Sequence, residues 1–376
     1  MKRSSFLLAA AAVAASRAAA QSEPAPRTLT AVPLTIKTEL AAVAAVHELA
    51  NGHLLVSDAG GSAILVIDPA TGASRSLGRQ GHGPNEFGKP GGIYLDADGV
   101  TSLVMDRSQP RVLVIDKTGT LTGMRSIEQR GISRSADDMD PQRIDASLHT
   151  YFVERGFPFR RGANVASVDS LPLIRFDIAR QRPDTAARLS YTKPSEVTTK
   201  GRMTVSRTPL FSPADGWAVA PDGSVALVRA VPYRVDWVSP TGTTITGARI
   251  AYSPVPVTDA DHPPTGAAPS MSIGATGKGG GTMTSADMQP EYAKVKPAFD
   301  PDAIVLADDG RLWVARHGPA GAKQAIYDIF DRRGARVDRV AFPARSHVVG
   351  FGPSAVYVAE LDADDVPTIR KYRLTR

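Results

Sequence analysis

The chain has 376 residues, 22% of them charged and 6% aromatic, with a formal net charge of +6 and no cysteine. Lack of cysteine excludes disulfides and lipoprotein attachment, so stability must come from the core that a chain of this length can bury. Basic residues are scattered beside acidic ones, as in "DRRGARVDR" (331–339); that mixing is a solvated surface and excludes nucleic-acid binding through a basic stripe.

At the N-terminus, Lys2 and Arg3 precede an apolar run from Phe6 to Ala15, and small residues precede Gln21. This predicts a secretory signal peptide over 1–20, too short to span a bilayer. Its cleavage would remove Lys2, Arg3 and Arg17 and lower the net charge from +6 to +3. No later run approaches the roughly 18 apolar residues of a membrane span. A mature chain over 21–376 is therefore expected in the periplasm or outside the cell, without membrane insertion.

Four turns then recur in chain order: "LANG" (49–52), "DADG" (96–99), "APDG" (220–223) and "ADDG" (307–310). Each is followed by a short Val/Ile/Leu strand, a variable loop, a second strand and a second polar turn ending in glycine, such as "DKTG" (116–119). Gly52 and Gly99 lie 47 residues apart, within the span of one propeller blade. A degenerate copy runs through "IDASLHTYFVERG" (144–156) and "SLPLIRFDIARQRPDT" (170–185), and a last one starts near Val348. The fold expected is all-β: a six-bladed β-propeller with four-stranded antiparallel blades, in one domain over 21–376. The last copy supplies three strands, and "RTLTAVPLTI" (27–36) is expected to complete it. An open solenoid would need distinct polar caps. One short helix is expected over 285–296, and a flexible Gly/Pro-rich insertion over about 259–285.

The stretch "GRQGHGPNEFGKPGGIYLDADG" (78–99) resembles the NHL-repeat signature, a "GxGPGEF"-like segment before "P-x-G-I", an alternating strand and an Asp-Gly turn. Gly81, Gly83, Pro84, Glu86, Phe87, Pro90, Gly92 and Ile93 match, while Asn85 stands where glycine is usual. "VMDRSQPRVLVID" (104–116) keeps Asp106, Arg111 and Val112 of the family's second motif, with Gln109 replacing the usual asparagine. The chain thus resembles bacterial exported propellers of the NHL-like group. The resemblance implies that 78–90 is an inter-blade connection whose phenylalanine packs between sheets.

With strands lettered A to D from the axis outward, the A–B and C–D turns are short and the D–A connections long: 78–90, 124–142, 190–215 and 251–299. Long loops on a rigid scaffold are where binding concentrates. The B strands end on this face in Asp58, Asp106, Glu154, Arg229, Arg316 and Glu360, a rim able to bind a charged ligand.

Other chemistry is weaker. "GATGKGGGT" (274–282) fails as a P-loop, because Ser272 and Gly279 stand where glycine and Ser/Thr belong. The seven histidines show no HExxH spacing, though His47 and His347 sit near inner strands and could face an axial channel. Trp217, Trp237 and Trp313 fall in strand patterns and are expected in the core. The leading expectation is a monomeric binding scaffold, without catalytic residues, metal or cofactor, for a protein, peptide or glycan. The alternative is a metal-dependent hydrolase or lyase, gluconolactonase-like or amidating-lyase-like, with its site at the channel mouth.

Overall fold

The computed structural model describes residues 23–130, 143–154, 168–200, 203–262, 272–275 and 290–374, with only the backbone for 196–200, 203–206 and 272–275. The signal-peptide segment 1–20 lies outside the described residues.

The described chain is built of antiparallel meanders, here I to VI, with strands A to D in chain order. Meander I is Val43–Glu48, Leu54–Asp58, Ala63–Ile67 and Ser74–Ser76; meander II is Pro90–Leu95, Ser102–Asp106, Arg111–Ile115 and Leu121–Ser126. Meander III is Arg143–Ile144, Thr150–Val153, Ser170–Asp177 and Arg182–Ser190; meander IV is Gly216–Val219, Val225–Arg229, Arg234–Val238 and Thr244–Thr246. Meander V is Phe299–Leu306, Leu312–Arg316, Gln324–Phe330 and Arg336–Pro343; meander VI is Ser346–Gly352, Ala355–Leu361 and Pro367–Arg373.

Local chemistry explains why each meander turns where it does. Gly52, Gly99, Gly223 and Gly310 take φ of +70 to +81°, a conformation that costs glycine least and closes the A–B hairpins. At the C–D turns the first residue's side chain caps the backbone. Asp116 accepts from the Thr118 and Thr120 amides, Asp331 from Arg333 and Ala335, and Ser239 from Thr243; Asp362 does the same for Asp364 and Val366 at the B–C turn of meander VI. These Asx-type turns hold backbone donors that would otherwise go unpaired.

The apolar residues pack between meanders. Leu55 and Val66 of I meet Val104 and Leu113 of II; Met105 of II meets Ile144 of III; Tyr151 of III meets Leu227 of IV. Trp237 of IV packs with Phe330 of V, Trp313 of V with Phe351 of VI, and Tyr357 of VI with Val56 of I. Each core thus joins neighbours in chain order, and the last joins the two ends. Strand A of I also pairs in parallel with strand A of VI, Val46 opposite Gly350. This is a propeller arrangement of an all-β chain. One 3-10 turn at Asp259–Asp261 is the only helical turn among the described residues.

The N-terminal segment behaves differently from the single outer strand expected. Arg27–Thr28 runs parallel to Arg336–Pro343 on meander V, and Ala31–Val32 pairs antiparallel with Pro367–Arg373 on VI. Leu34 and Ile36 then pack on the core shared by VI and I. The segment is a strap over three meanders, with Leu29 buried between its two strands' hosts.

No helix forms over the described part of 285–296. Tyr292 makes a parallel bridge to Leu210, and Val295–Lys296 pairs with Val255–Pro256. Pro290 and the pairing partners decide against helix there. The rest of that expectation, 285–289, lies outside the described residues.

Candidate functional site

The glycine-rich connection is built around Glu86 and Phe87. Arg79–Gln80 runs parallel to Glu86–Phe87, and Phe87 is buried in the core between meanders I and II. The Glu86 carboxylate accepts from the Gly83 amide and pairs with Arg79. Asn85 has φ +61°, so it adopts the conformation a glycine would supply, which Asn tolerates better than most residues. This connection is a packed turn, not a phosphate cradle.

The strand-end residues occupy equivalent places around the ring, and most are engaged inside it. Asp58 is 3% exposed and accepts from the Ala41, Ala42 and Gly61 amides. Asp106 is 2% exposed and accepts from the Gly88, Lys89 and Ser108 amides, the Ser108 hydroxyl and Arg111. Burial alone would raise its pKa, but these donors, led by Ser108, outweigh it and hold the carboxylate below its ordinary range. Arg229 reverses the polarity, donating to Asp215 and Asp236. Arg316 donates to Asp328, Glu23 and the Ala298 carbonyl, lying against both the Tyr233 and Tyr252 rings. Glu360 accepts from the Tyr372 hydroxyl and faces Arg370. Glu154 is half-buried just beyond Thr150–Val153, its amide bonded to Pro172. Asp106, Arg229 and Arg316 therefore fasten the incoming D–A connection to their meanders, Asp58 fastens the N-terminal segment entering meander I, and the six residues lie on six different meanders.

What converges is the set of A strands. They surround an axial cavity of about 1070 Å³, the upper end of the range typical of small-ligand sites. The A-strand starts give the mouth on the D–A face, and their ends the mouth among the A–B turns. At the D–A mouth stand Arg107, Arg143, Tyr191, Asp300, Asp302 and His347. Trp217 lines the wall, only half-buried, under the Arg143 guanidinium at 5.7 Å. Trp237 and Trp313 are core residues, 3% and 1% exposed. Trp217 packs, partly buried, against the core shared by meanders III and IV, as expected, and its innermost strand also brings it to the channel. Sequence reasoning missed Asp300 and Asp302, although Pro301 inside an apolar strand is a sign of a bulge.

His47 and His347 both line the channel. The parallel register sets His47 level with Phe351, four residues beyond His347, an offset of about 13 Å along the strands. They cannot share one ion. Among the described residues no three His, Cys, Asp or Glu side chains lie close enough to hold a metal. Burial pushes the pKa of His47, His317 and His347 down, Asp308 and Glu48 only partly opposing this at His47. The unfolded chain would bind protons at these sites first, at about pH 6.5. Stability is therefore complete above that pH and falls as pH drops toward the native values. Denaturation titrations at pH 7 and pH 5 should show this loss, and His47→Gln with His347→Gln should reduce it; an unchanged slope would remove these residues from the account.

The two longest D–A connections are joined to each other. Glu196–Lys200 and Met203–Arg207 form a hairpin, and Ser272–Ala275, from the other connection, adds a third strand. Part of the insertion expected to be flexible is thus a strand, while 276–285 and with it most of "GATGKGGGT" lie outside the described residues. At the base, Lys296 pairs with Asp261 and His262 stacks on Tyr292 at 3.9 Å.

No family model and no curated protein matches the chain. Among solved structures it is similar to BF0058 of Bacteroides fragilis, whose name proposes that it is exported, at 13% identity and TM-score 0.47, covering 93% of this chain and 95% of that one. It is similar to a DUF4221 family member from Bacteroides vulgatus at 9% identity and TM-score 0.48, covering 93% and 97%. It is also similar to virginiamycin B lyase from Staphylococcus aureus at 11% identity and TM-score 0.39, covering 93% and 99%. At such identities and TM-scores the likeness carries no functional argument, and the chemistry must come from the site.

Proposed function

We propose that this chain is an exported, monomeric six-bladed propeller of NHL-like type that binds a protein, peptide or glycan through its D–A face. Each meander is one blade, and Ala31–Val32 serves as the outer strand of the last. The observation that carries this reading is the asymmetry of the two faces. On one, two long connections weave a three-stranded cap beside the open mouth of the cavity; on the other are tight glycine turns. Rigid scaffolds present ligands to loops of the first kind. No observation among the described residues favours the metal-dependent hydrolase or lyase. Among those residues, no helix is long and apolar enough to cross a membrane.

The test uses peptide and glycan arrays with two variants. Ser195 and Arg207 are bridged by a backbone hydrogen bond of 2.7 Å, so residues 196–206 can be replaced by a short glycine link without moving the meanders. Binding should be lost in that variant and kept when the opposite face carries Asp98→Lys and Asp309→Lys. Binding indifferent to the cap but lost with the A–B turn substitutions would overturn the reading.

A further inference from the structure

Two charged features reach the D–A mouth of the cavity, each past a glycine. In the innermost strand of meander V the ladder passes from Phe299 opposite Arg316 to Ile304 opposite Val314. Three residues beyond the regular count are thereby pushed out, so that Asp300, Pro301, Asp302 and Ala303 bulge from the ladder and line the cavity. Bulges of this kind re-aim side chains. The bulge leans on meander IV at Gly216, where a Cβ would stand 3.1 Å from the Pro301 carbonyl oxygen and 2.2 Å from the Ile304 methyl. Neither Asp300 nor Asp302 has an ion-pair partner among the described residues.

On meander II the stem of Arg107 crosses Gly91, whose Cβ would lie 2.8 and 3.0 Å from its Cγ and Cδ. Any larger residue there would lift the arginine off the inner strand. Arg107 is exposed, lines the cavity and has no ion-pair partner among the described residues. On the next meander Arg143 adds a second guanidinium over Trp217. With the blade count of the proposed function, II stands across the channel from V. The mouth is thus cationic on one side, anionic on the other, with apolar walls such as Leu171 and Val348 between.

We infer that this mouth binds short peptides with free ends, the carboxylate on the Arg107 side, the ammonium on Asp300 and Asp302, and an apolar side chain against Trp217. A neutral glycan has no use for opposed charges. A single amino acid carries both charges on one carbon, whereas an extended tetrapeptide separates them by about 3.3–3.6 Å per residue, as charges on opposite sides of a channel require. The inference rests on the six-bladed, D–A-face reading and narrows its ligand to peptide.

The experiment is retention of a mixed tetrapeptide library on the immobilised protein, in free, N-acetylated, C-amidated and doubly blocked forms. Free peptides should be retained over singly blocked ones by about tenfold per end. Arg107→Gln should erase the preference for a free carboxylate alone. Asp300→Asn with Asp302→Asn should erase the preference for a free amine alone. All these side chains sit at the mouth, and thermal melts of the variants check that folding is kept. Equal retention of free and blocked forms, or no retention while the arrays still show cap-dependent binding, would overturn the inference and leave the parent reading standing. No binding on the arrays either would remove both.

Discussion

Glu23→Gln is expected to lower stability by about 2–3 kcal/mol, read as an earlier denaturant midpoint. The reason is the charge cluster under the strap. Arg316 and Arg339 are 6% and 7% exposed at their side chains, and Arg336 lies beside them. Among the described residues, Asp328, fully buried, and Glu23 are the carboxylates paired with these three cations. Glu23 bridges Arg339 at 2.7 Å and Arg316 at 3.3 Å and also accepts from the Ser253 amide. Removing one partner of a buried pair leaves an uncompensated charge, worth about 3–5 kcal/mol, here discounted because Glu23 keeps some solvent contact. Burial would raise the Glu23 pKa, but the two arginines outweigh it and hold it below the ordinary carboxylate range. Its contribution is thus complete above about pH 4.5 and is lost as pH falls through the native value; the Gln variant should lack that part of the acid slope. Arg27→Gln is the contrast, because its pair with Asp338 is 39% exposed on the arginine side and is worth less than about 1 kcal/mol. Equal effects of the two substitutions would contradict the buried-cluster explanation.

Gly350→Ala is expected to be at least as damaging, about 3 kcal/mol or more. A Cβ at Gly350 would sit 1.7 Å from the Val46 carbonyl oxygen and 2.6 Å from its carbon, at the parallel pair that joins the first and last meanders. Neither neighbour is the free end of a side chain, so the seam itself must part. Gly123, with nothing within 4 Å of its added Cβ, is the control at which alanine should be tolerated. The melting temperature of Gly350→Ala should fall by about 4 °C or more, with hydrogen exchange accelerated first along Val43–Glu48 and Ser346–Gly352. A seam as well protected as in the parent chain would count against ring closure at this site.

The fold was legible because its signals are local. Asp-Gly turns such as Asp98-Gly99 and strands such as Arg111–Ile115 declare themselves within a few residues, and the pattern repeats. The strap was half legible: its extended character could be read, but not that Arg27–Thr28 and Ala31–Val32 would divide between two meanders, since pairing is decided by residues some 300 positions away. The site was harder. Asp58 and Arg316 look like a charged rim in sequence, yet the first holds backbone amides and the second holds Asp328 and Glu23. Trp217 reads as core because its strand is apolar; only the ring places that strand against a cavity. Whether a strand-end charge faces solvent or a neighbour's backbone depends on tertiary packing, which periodicity does not carry.

Because the chain has no native cysteine, ligand entry at the D–A mouth can be measured by protection of single introduced thiols. Ala44 lines the cavity at the start of its strand and Ala146 lines it beside an A–B turn. Single Ala44→Cys and Ala146→Cys variants would be labelled with a maleimide, with and without the tightest ligand from the arrays. Ligand entry at the D–A mouth should slow labelling at position 44 and leave labelling at 146 unchanged. Protection at 146 alone, or at neither position, would contradict it.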